Sequence, residues 1–575
     1  MTALVARPLP PRRTTGQRHA LVATGHVRLM MLMLLIAAAF CLVIGRIAML
    51  GLLASPASAQ GPNFGSLIRG DILDRNGEPL ARTIEAWTIG VHPARLIGDR
   101  HIIAEKLAAA MPEHDAAYFY GKLTLPVNFT YIERHASPAL VNQVHAIGEP
   151  ALVFAKEPER LYPQTTMAAH VLGYIGPTAK DSRIMGRAGI EREFDERLSD
   201  PAQRGTPIML SIDSRVQAAM ESELGHAMTS FKAKAATGIV LDVRTGELIA
   251  MVSLPVYNPN KLAGTGVEAL RNNVTQSVYE LGSTFKPITM AAAIDTGVVT
   301  SMSKRFDATQ PLHVGGFTIH DDHAQKRFLD IPETLVHSSN IATARIADEL
   351  GKERLAAMFT AIGFGERPTI ELRERAGPIW PTYWARTTVM TAGYGHGIAV
   401  TPLHLANAYA TLVNGGIWRP TTLLKVAPGK APAGHRVISE ATSARMRQLL
   451  RLVVTQGTGR KGEAPGYRVG GKTGTAEIAG AGGYSKRSNV STFAAAFPMD
   501  APRYVVIAML DAPIANAESA GQTTAAWTVA PVVSRVISRT GAMLGVLPST
   551  TRDVNVSELL PLLWHAPGED TADPE

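Results

Sequence analysis

The sequence predicts an α+β protein in three parts: one N-terminal transmembrane helix, a mixed α/β module, and a larger domain in which helices are inserted between the strands of a sheet. Three observations predict it. Residues 29–45 (LMMLMLLIAAAFCLVIG) run without a charge. Strand-like stretches at 208–212 and 237–253 are followed by others only at 469–479, 489–498 and 503–511. Between the two groups, residues 283 to about 450 read mostly as helix.

Residues 1–28, a predicted cytoplasmic tail, carry Arg7, Arg12, Arg13, Arg18 and Arg28 and no acid. As one helix, residues 29–53 would run about 37 Å at 1.5 Å per residue. That is enough to cross a hydrocarbon core about 30 Å thick. The arginines before the segment, with none between Arg46 and Arg69, predict an N-terminus inside and the bulk of the chain outside. Arg46 is open to two readings: it snorkels to the outer interface, or it meets another transmembrane helix. Ala57-Ser58-Ala59 has the look of a signal-peptidase site, but the apolar run exceeds the roughly 7–15 residues of a signal peptide, which favours an uncleaved anchor.

Residues 54–66 are a small, polar linker, and Asn76-Gly77 turns the chain between two extended pieces. Residues 80–205 mix short strands and helices without a chemical motif. SDPAQRGTP at 199–207 marks a boundary. Beyond it, Asp213 is placed to cap a helix over 213–230. Thr245-Gly246 turns between two strands, and 522–540 closes the domain as a helix. The expected division is 1–28, 29–53, a mixed module at 54–206, the larger domain at 207–545, and a C-terminal tail at 546–575 that is acidic from about 566.

The chain has 575 residues, 46% hydrophobic and 18% charged, a composition for large cores rather than disorder. Its net charge of +8 raises nucleic acid as a partner. No compact Lys/Arg run, zinc-finger spacing or aromatic–basic interleaving supports that. A basic domain facing an anionic surface such as lipid explains the charge equally well. The one cysteine, Cys41, lies in the apolar segment, which excludes an internal disulfide, a multi-cysteine zinc site and a cysteine nucleophile in a soluble domain. His320-Asp321-Asp322-His323 reads as a solvated turn rather than a metal site. No metal or cofactor is expected.

Three short motifs carry the chemistry. Ser283-Thr284-Phe285-Lys286 opens a helical run that stops at Gly297, with Pro287 tolerable in its first turn. Residues three apart on a helix are neighbours, so Lys286 reaches back to the Ser283 hydroxyl. A serine becomes a nucleophile when a base takes its proton, and a lysine serves if burial or another cation lowers its pKa. The same spacing recurs at Ser301–Lys304 without a following helix, so the motif alone proves little. Ser338-Ser339-Asn340 offers a hydroxyl and an amide for proton relay and carbonyl binding, or an ordinary helix N-cap. Lys472-Thr473-Gly474-Thr475 lies in a strand-like stretch. Its cation and two hydroxyls suit a carboxylate, and Gly474 leaves room for a peptide along the strand. Residues 466–473 also spell a phosphate loop. The flanks supply neither the preceding strand nor the following helix that such a loop needs, so the match is read as accidental.

In this order the three motifs resemble those of the penicillin-binding protein and serine β-lactamase superfamily. RGDILDRNGEPLA (69–81), Arg160-Leu161-Tyr162-Pro163 and 189–195 (GIEREFD) resemble the non-catalytic pedestal of its class B branch. Ser-Ser-Asn is more like the cell-division member than the elongation member. Leu281 stands where the family usually has Pro.

The resemblance implies a serine transpeptidase domain with a β-lactamase-like antiparallel sheet and a helical subdomain. It implies that Ser283 attacks the carbonyl between two terminal D-alanines, that Lys286 accepts its proton, and that Ser338 and Asn340 assist. Lys472, Thr473 and Thr475 would hold the terminal carboxylate, and the N–H groups of Ser283 and Thr475 would form an oxyanion hole. The implied partners are peptidoglycan stem peptides as donor and amine acceptor, β-lactams as covalent inhibitors, and a membrane glycan polymerase with other divisome proteins. The implied location is the inner membrane at the septum, with the catalytic domain in the periplasm. An elongation transpeptidase, a D,D-carboxypeptidase and a non-catalytic division scaffold are the competing readings; a soluble β-lactamase would lack the anchor and pedestal.

Overall fold

The structure is a computed structural model, which describes residues 15–52, 69–178, 184–203, 206–480 and 483–564. The chain divides into two compact units, Met1–Asn63 and Phe64–Glu575. In the first, one helix runs over Thr15–Leu52. Its stretch His26–Ile44, of mean hydropathy 2.7, is long and apolar enough to cross a membrane. Arg46 lies on this helix and is exposed. Ala57-Ser58-Ala59 and the tail from 566 lie outside the described residues.

The second unit begins with the mixed module. Its sheet orders Thr130–Ala136, Pro79–Val91, Ile72–Leu73 and Ile208–Met209, with Leu152–Leu161 also paired to Pro79–Val91. That strand of 13 residues is longer than the short strands expected here. Ile72–Leu73 runs parallel to Ile208–Met209, the first strand past the expected boundary.

The three pedestal phrases meet in one buried network. Glu191 accepts from Arg69 Nε at 3.0 Å, from Arg160 Nε at 2.6 Å and from the Tyr162 hydroxyl at 3.2 Å. Removing one member of such a buried network costs about 3–5 kcal/mol, because the remaining charge is left unpaired. The Asn76-Gly77 turn is pinned to the larger domain, where Asp74 accepts from the Ser214 hydroxyl at 2.6 Å and Asn76 donates to Asp213 at 3.1 Å. Asp213 also caps the helix Ser214–Ser230, as its sequence predicts.

The larger domain is built on an antiparallel five-stranded sheet, ordered Gly470–Gly480, Gly483–Phe497, Tyr504–Asp511, Ala235–Asp242, Leu248–Leu254. Successive side chains on a strand point to opposite faces. Val505, Ile507 and Met509 therefore enter one core with Phe285, Ile288, Leu405 and Tyr409. Val506, Ala508 and Leu510 enter another with Met220 and Leu224 of Ser214–Ser230 and Val533 and Val536 of Ala530–Thr540. Both faces are covered, which explains the nearly continuous apolar runs of these strands. The expected closing helix is two pieces, Ala525–Thr528 and Ala530–Thr540, with Pro531 in the first turn of the second. Residues 546–564, expected as the start of a tail, pack onto the domain through Val546, Leu559 and Leu563.

Candidate active site

Ser283 lies on a 3₁₀ turn, Gly282–Phe285, that continues into the helix Lys286–Asp295. In a 3₁₀ turn residues three apart eclipse, which sets Ser283 and Lys286 on one side. Pro287 falls in the first helical turn, where no intrahelical N–H is needed. The turn forms with Leu281 in place of the family proline: the Leu281 carbonyl accepts from the Thr284 hydroxyl at 2.8 Å. Tyr409, fully buried, donates to the Thr284 carbonyl at 2.9 Å and holds the turn from below.

The sequence places Lys286 against the Ser283 hydroxyl. In the structure the Lys286 ammonium instead donates to the carbonyl of Ser338 and, at 3.1 Å, to Ser338 Oγ. Ser283 is half-buried, and its hydroxyl has no hydrogen-bond partner among the described residues. The cause is the pull of two oxygens on a fully buried nitrogen: a side chain that is 0% exposed must satisfy its donors inside the protein.

Ser338 sits in a left-handed conformation, φ 57°, between the helices Ile331–Val336 and Asn340–Ala361. The middle motif divides its tasks. Ser339 is the N-cap, accepting from Ala342 N, while Ser338 faces the two lysines. Asn340 lies beside them, its amide donating to the His320 carbonyl at 2.9 Å. Asp321, expected in a solvated turn, is half-buried and accepts from the Ser339 hydroxyl at 2.7 Å and Ile341 N at 2.9 Å. The 320–321 segment thus braces the motif from the side. Among the described residues no His/Cys/Asp/Glu group is arranged to hold a metal.

Lys472 lies inside the edge strand Gly470–Gly480, paired with Ala494. The end of the 466–473 stretch lies in the strand Gly470–Gly480 and no helix follows it, so the phosphate-loop spelling has no phosphate-loop structure. Lys472 is also 0% exposed; it donates to Ser338 Oγ at 2.9 Å and to the Thr473 carbonyl at 2.9 Å. Its ammonium is therefore held inside the protein, between the strand and Ser338. The hydroxyls of the motif have partners of their own. Thr473 donates to Thr458 Oγ1 at 2.8 Å, and Thr475 Oγ1 accepts from Ala525 N at 3.1 Å.

Gly474 also serves packing within the protein. A Cβ there would come 2.6 Å from the Leu281 carbonyl oxygen and 2.7 Å from Thr284 Cγ2. The missing side chain lets the strand press against the turn of Ser283. Asp321, Thr458 and Tyr409 were not legible as site residues, since each lies far in sequence from the motif it supports. The second Ser-x-x-Lys, at 301–304, is an ion pair: Lys304 bonds Glu349 at 2.6 Å.

Burial pushes Lys286 down to about 7, against the opposing pull of Asp321 and Asp322. Burial first, and the charge of Lys286 second, hold Lys472 well below the usual lysine range. The two buried lysines lie close enough to disfavour each other's protonation.

Comparison with known proteins agrees with this architecture. A profile of the penicillin binding protein transpeptidase domain matches residues 236–534, and one of the penicillin-binding protein dimerisation domain matches 67–205. The probable peptidoglycan D,D-transpeptidase FtsI of Caulobacter vibrioides is 40% identical over 492 residues, 84% of this chain and 82% of that one. The peptidoglycan D,D-transpeptidase FtsI of Escherichia coli K12 is 29% identical over 592 residues, 96% and 97% of the two chains. The crystal structure of penicillin binding protein 3 from Mycobacterium tuberculosis, complexed with aztreonam, matches with a TM-score of 0.65 at 25% identity over 84% of this chain and 98% of that one. The chain belongs to the penicillin-binding proteins. Its dimerisation and transpeptidase domains are those of class B, and the two relatives named above, both FtsI, support the septal type.

Proposed function

We propose that this chain is a peptidoglycan D,D-transpeptidase that cross-links stem peptides through an acyl-enzyme on Ser283 during septal wall synthesis, and that β-lactams acylate the same serine. The observation that carries the reading is the convergence of Lys286 and Lys472 on Ser338 Oγ, at 3.1 and 2.9 Å, beside the turn that bears Ser283.

In this reading a neutral Lys286 takes the Ser283 proton as Oγ attacks the carbonyl between the terminal D-alanines. Ser338, held by both lysines, returns the proton to the leaving D-alanine amine. Asn340 orients the donor peptide. Thr473 and Thr475 bind its carboxylate, with Lys472 supplying hydrogen bonds from behind, and Gly474 lets their strand approach. The N–H groups of Ser283 and Thr475 stabilise the oxyanion, each donor being worth about 2.7–4 kcal/mol. An amine of a neighbouring stem peptide then resolves the ester. Residues 207–545 do this chemistry, and 54–206 serve as a non-catalytic pedestal. Residues 29–53 anchor the chain in the inner membrane with the N-terminus inside and the catalytic domain in the periplasm at the septum. A membrane glycan polymerase and other divisome proteins are the partners.

The test uses the detergent-purified full-length chain, a donor peptide ending in D-Ala-D-Ala, and an amine acceptor. Release of D-alanine with a donor–acceptor product is the expected result. Hydrolysed donor alone, whatever the amine concentration, would make the chain a carboxypeptidase. No release by a folded chain would favour a scaffold.

A further inference from the structure

Residues 546–564 reach behind both walls of the site. At one end Ser549 N donates to the Gly466 carbonyl at 2.8 Å. The Asp553 carboxylate takes Arg451 Nε at 2.8 Å and Nη2 at 2.7 Å. The same guanidinium bonds Glu463 and donates at 2.8 Å to the carbonyl of Val469, the residue before the strand of Lys472. At the other end Trp564 N donates at 3.0 Å to Glu333, in the helix Ile331–Val336 that leads into Ser338. Glu333 is buried and paired with Arg327 at 2.7 Å, whose guanidinium lies 5.1 Å from the Trp564 ring centre. Between the two ends, Leu559 and Leu563 enter the same core as Leu335 and Val336. Gln448 donates to the Asn555 carbonyl at 2.6 Å.

We infer that residues 546–564 are a positioning strap that fixes the spacing between Ser338 and Lys472, with Asp553 and Trp564 as its two clasps. One clasp holds the segment that delivers Lys472, the other the helix that delivers Ser338. These two residues meet across the site at 2.9 Å. Neither clasp touches Ser283, so both are positioning residues. The inference rests on the proposed roles of Ser338 and Lys472. A misplacement of about 1 Å in such a site costs on the order of 10²-fold in rate.

The experiment compares full-length wild type with Asp553→Asn, with Trp564→Ala, which removes the ring against Arg327 and leaves the backbone N–H on Glu333, and with the double variant, in acylation by benzylpenicillin between pH 5 and 9. Acylation of the wild type at Ser283 is the reference; its absence would overturn the functional reading before the strap is tested. The expected result is a rate at saturation about 10-fold lower in each single variant, with the half-saturating concentration little changed. The pH midpoint should shift away from about 7, because the burial that sets it depends on the closed pair of walls. Asp553→Glu and Trp564→Phe, which keep the carboxylate and the aromatic face, should recover most of the rate. The strap is overturned if the variants keep the wild-type rate and midpoint, or if thermal stability falls while both persist. Asp553→Asn guards against a misfolded double variant, since its side chain is 38% exposed.

Discussion

Alanine at position 286 is expected to slow acylation by benzylpenicillin about 10³–10⁴-fold while leaving the chain folded, the upper range for loss of a general base. Lys286 is the one basic nitrogen that the sequence places one turn from Ser283 and that burial brings to about 7. Its removal takes away a group whose burial opposes its charge, so the unfolding midpoint should stay within a few degrees. The wild type should show the matching pH dependence. Below about 7 Lys286 holds its proton and cannot accept another, so the rate should fall tenfold per pH unit; above about 7 it should level off. Stopped-flow acylation over pH 5–9 checks both. An unchanged rate in Lys286→Ala, or a flat profile in the wild type, would remove Lys286 from the role of base.

Gly474→Ala should be the second most damaging single change. The added methyl would meet the backbone oxygen of Leu281 and both N and Cγ2 of Thr284, neither of them a flexible chain end. The strand must then move away from the turn, carrying Thr473 and Thr475 with it. Overpacking of this kind costs about 1–3 kcal/mol of stability. The displacement should lower the acylation rate on the order of 10²-fold. Acylation kinetics with a thermal melt measure the two effects. A variant that acylates like the wild type would show that the strand and turn are not held at contact distance.

The motifs were legible because each packs its chemistry into a few consecutive residues. Asp213 announced its helix in the same way, and Asn76-Gly77 its turn. What the sequence concealed lies in contacts between distant segments. Asp321 braces Ser339 across 18 residues, and Asp553 reaches Arg451 across 102. No local period marks such pairs. The close approach of Gly474 to Leu281 and Thr284 was hidden, because a sequence shows that a side chain is missing but not which distant residues pack there. Lys472 was read as a cation for a carboxylate. Its full burial, and with it the bond to Ser338, became visible only once the edge strand was set against the helical region. The strap looked like a tail because a polar run, PSTTRD at 548–553, separates its first buried residue, Val546, from Leu559 and Leu563.

The most direct test of the central claim is the intact mass of the full-length chain after incubation with benzylpenicillin, followed by mapping of the adduct to a proteolytic peptide. The expected result is one stable adduct per chain, on the peptide containing Ser283. An adduct on another residue, rapid turnover of the drug without an adduct, or no reaction by a folded chain would each contradict Ser283 as the nucleophile of a wall cross-linking acyl-enzyme.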